Sequence, residues 1–218
     1  MDNDSNTLVI NEIYLSIQGE SSFAGLPCVF VRLTGCNLRC TYCDTEYAFY
    51  EGERRSVNEV LKQVSEYGIP LVEITGGEPL LQKGCATLAK GLLDAGKRVL
   101  VETSGAFPID VLPDGAIRIM DLKCPSSGEC DKNDWGNIER LKPYDEVKFV
   151  IGDREDYEWA RNVMQKYQLS KRCAVLISTV FGKIDPVTVT EWMLADNLEA
   201  RFQLQMHKYI WDPLQRGV

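Results

Sequence analysis

The sequence predicts an α/β domain in which strands and helices alternate, either a βα-repeat sheet or a partial barrel. Three observations carry that reading. Short runs rich in Val, Ile and Leu recur along the chain, bounded by Gly, Pro or Asp. Several are apolar at nearly every position, as parallel strands covered on both faces are. Helix start and stop residues stand between them. In either arrangement ligands belong at the C-terminal ends of the strands.

The strands are expected over residues 29–34, 71–75, 98–102, 116–122, 146–151, 174–178 and 201–205. Between the first two, Ser56-Val57-Asn58-Glu59 reads as a capping box, with Ser56 as N-cap and Glu59 at the third helical position. That helix should run to Tyr67 and stop at Gly68. A second spans residues 80–95 and closes at Gly96. Asp153 caps a third, which places Tyr157, Ala160, Met164 and Tyr167 on one stripe. Asp185-Pro186 opens a fourth, with proline at the first helical position.

The 218 residues fit one domain, with 44% apolar and 26% charged side chains. No apolar run approaches the roughly 18 residues of a membrane span, so no membrane partner is expected. A formal net charge of −8 and the lack of a Lys/Arg cluster argue against nucleic acid. Residues 1–7 are polar and acidic, without the basic start and apolar stretch of a secretory signal, so a cytoplasmic location is expected. In that reducing compartment clustered cysteines bind metal more often than they pair, and three of the eight are clustered.

The cluster is Gly35-Cys36-Asn37-Leu38-Arg39-Cys40-Thr41-Tyr42-Cys43-Asp44-Thr45, directly after the first strong strand. A structural zinc site wants four closed ligands. No fourth stands nearby: Cys28 precedes the loop across a strand, Cys85 falls in a helix, and the single histidine is His207. Three thiolates suit a metal centre that keeps one position open, as a four-iron cluster held by three cysteines does. The spacing C-x3-C-x-aromatic-C, with Tyr42 in the aromatic place, resembles the radical S-adenosylmethionine superfamily. A second segment, Thr75-Gly76-Gly77-Glu78-Pro79, ends the next strand and resembles that superfamily's GGEP motif, which receives the methionyl amino group. Its glycines are expected to let backbone approach a ligand.

Further segments narrow the resemblance. Asn11-Glu12-Ile13-Tyr14-Leu15-Ser16-Ile17-Gln18-Gly19-Glu20, then Gly25 and Pro27, Phe30-Val31-Arg32-Leu33-Thr34-Gly35-Cys36 and Cys43-Asp44-Thr45 resemble the 7-carboxy-7-deazaguanine synthase (QueE) family. Lys123-Cys124-Pro125-Ser126-Ser127-Gly128 and the tail from His207-Lys208-Tyr209-Ile210-Trp211 to Arg216-Gly217-Val218 are similar to it as well. The resemblance implies a partial (βα)6-type TIM barrel with room for shortened helices. It also implies ring contraction of 6-carboxy-5,6,7,8-tetrahydropterin to 7-carboxy-7-deazaguanine with loss of ammonia, a lyase step of queuosine and deazapurine biosynthesis. In it, a 5′-deoxyadenosyl radical takes hydrogen from substrate C6 and returns it.

By the same resemblance a [4Fe-4S] cluster sits on Cys36, Cys40 and Cys43, and Mg²⁺ on Thr45. Ile17, Gln18, Gly19, Arg32 and Thr75 would contact the pterin. Tyr42, Asp44, Gly77, Asp121, Leu122 and Lys123 would flank S-adenosylmethionine. An electron donor such as flavodoxin or ferredoxin and a homodimer are implied too.

Plainer readings stand beside these. Arg32 alternates with apolar neighbours and could simply pair with an acid. Asp44-Thr45 could be a helix N-cap. Cys28, Cys85 and Cys173 read as small buried apolar residues, and Cys124 with Cys130 supplies too few ligands for a second cluster. His207 reads as structural. Ser21 and Asp121-Leu122 depart from the family pattern, where glycine and Ser-Pro are usual. The enzymatic rival is a glycyl-radical activating enzyme; the rival without catalysis is a binding module stapled by metal.

Overall fold

The computed structural model describes residues 4–218, so the first three residues of the acidic N-terminal stretch lie outside the described residues. The chain opens with β1 (Thr7–Ile17), which pairs antiparallel with both β2 (Pro27–Leu33) and β3 (Glu53–Ser56). Then follow β4 (Leu71–Gly76), β5 (Arg98–Thr103), β6 (Ile117–Asp121), β7 (Glu146–Ile151), β8 (Ala174–Thr179) and β9 (Arg201–Phe202). The sheet order is β3-β1-β2-β4-β5-β6-β7-β8-β9, parallel from β2 onward. This is the partial barrel, left open between its two edge strands.

The helices are α1 (Val57–Glu66), α2 (Gly84–Asp94), α3 (Arg154–Tyr167), α4 (Pro186–Ala195) and the short α5 (His207–Ile210). The crossovers from β5 to β6 and from β6 to β7 carry only 3-10 turns. Prolines at 108, 113 and 125 interrupt those segments. The capping box at Ser56 and Glu59 forms as expected, and Asp153 and Asp185 cap their helices through Asp156 N–H and Val187 N–H.

Three expectations need correction. β1 and β3 are strands that the sequence reading left out, because Asn11 and Glu12 break the alternation in one and the other is the polar run Glu53-Arg54-Arg55-Ser56. α2 begins at Gly84 rather than at residue 80. Gln82 is held extended there: its side-chain oxygen accepts from Val9 N–H and its amide donates to Thr34 O. The strand expected over residues 201–205 stops at Phe202. Beyond it the side chains of Gln203 and Gln205 bond to Ser21 O and Glu20 on the β1–β2 loop.

Two apolar layers pack outside the sheet. One lies under α1 and α2 and centres on Val31, Ile74 and Leu88; the other lies under α3 and α4 and centres on Phe149, Tyr157 and Ile177. Each fully buried Leu, Ile or Val there contributes about 1.5–3 kcal/mol. Inside the barrel a smaller cluster, Cys28, Phe30, Leu71, Leu100 and Ile119, fills its lower half. Because side chains two apart on a strand share a face, the inward residues above that plug are Arg32, Glu73, Thr75, Glu102 and Asp121. The barrel interior therefore changes from apolar to charged toward the C-terminal strand ends.

Candidate active site

Above the plug lies a cavity of about 700 Å³. Cys36, Cys40 and Cys43 line one part of it, on the loop after β2. Ile17, Gln18, Gly19, Arg32, Tyr42, Asp44, Thr45, Thr75, Gly77, Asp121 and Lys123 line the rest. The structure thus brings together all the sequence-predicted site residues but one. Leu122 does not line the cavity: its side chain is fully buried in the apolar layer under α3.

The cysteine loop is framed by neighbouring strand ends. Glu78 N–H donates to Gly35 O at 2.8 Å, while Thr41 donates through N–H to Ser127 O and through its hydroxyl to Ser126 O. This frame by itself requires glycine at 76 and 77. A Cβ at Gly76 would fall 2.2 Å from Leu33 O, and one at Gly77 would fall 2.3 Å from Gly35 O. The next residue, Glu78, is fully buried and accepts from Thr103 and Ser104 hydroxyls, Ser104 N–H and Leu80 N–H. β4 and β5 are tied together at the loop's base.

Burial pushes the thiol of Cys36 up and that of Cys40 up to about 11, with Lys123 pulling the latter the other way. Thiols so placed are neutral on their own, and a bound metal centre would hold them as thiolates. Among the described residues no three His, Cys, Asp or Glu side chains gather as the ligands of a single ion. Two buried polar atoms near the loop lack partners, the Tyr42 hydroxyl and Asp121 Oδ1. Unpaired buried groups are costly, and S-adenosylmethionine carries hydroxyl, amino and carboxylate groups able to satisfy them. The residues present fit both cofactors.

Arg32 combines its two readings. Its Nε donates to Glu12 at 2.8 Å and one terminal nitrogen reaches the Tyr14 hydroxyl at 2.8 Å, yet it faces the cavity. Tyr47 donates to the same Glu12 oxygen, so the guanidinium is fixed from behind. Thr45 stands at the N-cap of a 3-10 turn but makes no side-chain cap bond, leaving its hydroxyl uncommitted to that turn. Asp44 pairs with Lys208 at 2.6 Å, and that ammonium outweighs burial to hold its carboxyl below the usual range.

The C-terminal tail closes the cavity. Met206 N–H donates to Gly19 O, Arg216 stacks 3.8 Å above the Tyr47 ring, and His207 and Val218 join the lining. A Cβ on Gly19 would fall 2.9 Å from His207 Nδ1, so this glycine admits the tail.

Sequence reasoning missed a charged layer beneath these residues. Lys148 is buried and its ammonium contacts Glu102, Glu20 at 3.2 Å and Asp121 at 3.9 Å. Burial opposes its charge, and the carboxylates of Glu102 and Glu20 outweigh burial and raise it. Glu73 lies beside them. Burial first and Glu102 second push its carboxyl up to about 8. The signal was present: a single charge inside each of the runs Leu71-Val72-Glu73-Ile74, Leu100-Val101-Glu102 and Val147-Lys148-Phe149.

The family model of the radical SAM superfamily matches residues 30–122. With the open barrel and the three-thiol loop, that defines a radical S-adenosylmethionine enzyme, with a [4Fe-4S] cluster and S-adenosylmethionine as its cofactors. The chain is 45% identical to the 7-carboxy-7-deazaguanine synthase of Koribacter versatilis, over 96% of this chain and 99% of that one. It is 44% identical to the synthase of Chlorobaculum tepidum over 97% of each. The crystal structure of QueE from Escherichia coli superposes with a TM-score of 0.79 at 22% identity, over 92% of this chain and 95% of that one, and so agrees in fold. The chain belongs to the 7-carboxy-7-deazaguanine synthase family. That membership sets aside the activating-enzyme and metal-staple rivals.

Proposed function

We propose a division of the cavity for the reaction of this family, the conversion of 6-carboxy-5,6,7,8-tetrahydropterin to 7-carboxy-7-deazaguanine with loss of ammonia. The chain carries out that conversion. The observation that supports the division is one cavity, about 700 Å³, with the thiol loop on one side and the charged layer on another. That volume suits a cofactor and a small substrate side by side. When bound, the cluster and S-adenosylmethionine supply one-electron hydrogen abstraction. Cys36, Cys40 and Cys43 hold the cluster; Tyr42, Asp44, Gly77, Asp121 and Lys123 surround S-adenosylmethionine. Ile17, Gln18, Gly19, Arg32 and Thr75 receive the pterin, and the tail excludes water from it. The chain acts as one cytoplasmic domain within a homodimer, reduced by a flavodoxin or ferredoxin. No helix of the described residues is long and apolar enough to cross a membrane.

Arg32 keeps N–H donors free after bonding Glu12 and Tyr14, and its planar fork suits a carboxylate. Losing a hydrogen bond to a charged group costs roughly 1.5–3 kcal/mol, so Arg32→Gln should weaken pterin binding about 10- to 150-fold. Paired titrations on reconstituted protein, with carboxypterin and with S-adenosylmethionine, test this. Loss confined to the pterin is expected; equal loss of both means a damaged fold, and loss of neither removes Arg32 from the substrate site.

Thr45 offers a hydroxyl beside the thiol loop, and Mg²⁺ prefers such oxygen ligands while keeping open positions for a substrate carboxylate. Mg²⁺ should accelerate turnover, and Thr45→Val should blunt that acceleration with little loss of fold. Rates measured across a Mg²⁺ titration decide it: an unchanged response would leave Thr45 a loop residue.

A further inference from the structure

Gln18 follows β1 and turns its side chain into the barrel, where it is 3% exposed. Its amide oxygen accepts from Glu20 N–H and Ser21 N–H, each at 2.9 Å. Its amide nitrogen donates to Glu73 Oε2 at 2.9 Å. Backbone N–H groups can only donate, so the atom they face must be the oxygen. Flipping the amide would set N–H against N–H twice.

Two bonds to one atom still let an amide pivot about that atom. The third bond, to Glu73, fixes the plane. With the oxygen saturated and one N–H spent on Glu73, a single N–H is left for whatever occupies the cavity. Glu73 itself is 2% exposed and sits on β4 one alternation below Thr75. Burial first, then Glu102, push its carboxyl up to about 8, so it serves Gln18 as an uncharged acceptor near pH 7.

We propose that Glu73 is a positioning residue that holds Gln18 as a donor-only contact, so that Gln18 selects a hydrogen-bond acceptor on the substrate ring, a carbonyl or a nitrogen lone pair, over an amino group. This rests on the reading that Gln18 faces the pterin. The arrangement discriminates because a ring presenting an amino group there would oppose donor to donor and strand both, a larger penalty than a missing contact.

Steady-state kinetics on four reconstituted variants test it, with cluster content and melting temperature as controls for integrity. Gln18→Leu and Glu73→Leu should each raise KM for the carboxypterin about tenfold while kcat stays within about threefold, the pattern of a uniform binding contact. Glu73→Gln should keep KM near that of the unmodified chain, because its amide oxygen accepts from Gln18 in the same place. The double variant Gln18→Leu/Glu73→Leu should be no worse than Gln18→Leu alone, since the second change acts only through the first residue.

The failures are distinguishable. An unchanged KM for Gln18→Leu overturns the placement of the pterin itself. A raised KM for Gln18→Leu with an unchanged one for Glu73→Leu overturns only the positioning role. So does a Glu73→Gln variant as impaired as Glu73→Leu, or a double variant whose effects add. Should Glu73→Leu fail to fold because it strands a buried amide, the double variant replaces both partners by apolar groups and carries the comparison.

Discussion

Cys36→Ala, Cys40→Ala and Cys43→Ala should each abolish S-adenosylmethionine cleavage, whereas Cys28→Ala, Cys85→Ala and Cys173→Ala should leave it intact. All eight cysteines are free, so geometry decides between them. The first three share one loop and one cavity and are half-buried. Two thiolates cannot hold a cluster that keeps one iron open, so removing any of the three costs the whole centre. The second three are at most 8% exposed: Cys85 and Cys173 sit in the two outer apolar layers and Cys28 in the plug inside the barrel. There a thiol is a small hydrophobe, and its loss costs on the order of 1 kcal/mol. Iron and sulfide content after anaerobic reconstitution, with absorbance near 400 nm, reads the difference. A member of the second set that lost its iron as fully as the first would make the ligand assignment wrong.

Lys148→Met should destabilise the chain by about 3–5 kcal/mol, the usual cost of removing one partner from a buried ion network. Methionine keeps the length of the side chain and removes its charge. Glu20, Glu102 and Asp121 then face one another without the ammonium they share. The loss should depend on pH with a definite sign. In the intact chain Lys148 outweighs burial and holds the Glu102 carboxyl below its ordinary value of 4.5. A depressed carboxyl contributes stability that is present above that ordinary value and fades as pH falls through the folded one. The gap between variant and parent should therefore be full at pH 7 and narrow in acid, where protonated carboxyls need no cation. Urea unfolding at a series of pH values measures it; a midpoint unmoved at pH 7 with an unchanged slope would show that the carboxyls protonate without the lysine at little cost.

The parallel strands β2 and β4 to β8 were legible because burial on both faces leaves continuous apolar runs. β1 and β3 were not, since they lie at the barrel's open side, where polar residues such as Asn11, Arg54 and Arg55 are admitted. The shortened crossovers around β6 left no helical periodicity to find. In the site the thiol loop announced itself by spacing alone. Glu73, Glu102 and Lys148 carried a weaker signal, a lone charge in an apolar strand. Whether such a charge points into the barrel depends on register, which neighbouring strands set. Contacts made by the tail, such as Lys208 with Asp44, join residues 164 apart and left no local trace.

The frame around the cysteine loop has a consequence for how the protein is made. The three thiols leave the ribosome ahead of their braces: the hydrogen bond from Thr41 to Ser126 spans 85 residues of chain, and β4 and β5 come from the interval between. During synthesis the thiols are therefore exposed well before the strand ends that brace them exist. Iron delivered to the growing chain meets a bare three-cysteine peptide, open to oxidation and to competing metals. Iron delivered after residue 127 has folded into place meets a braced site, which makes late loading the productive order of assembly.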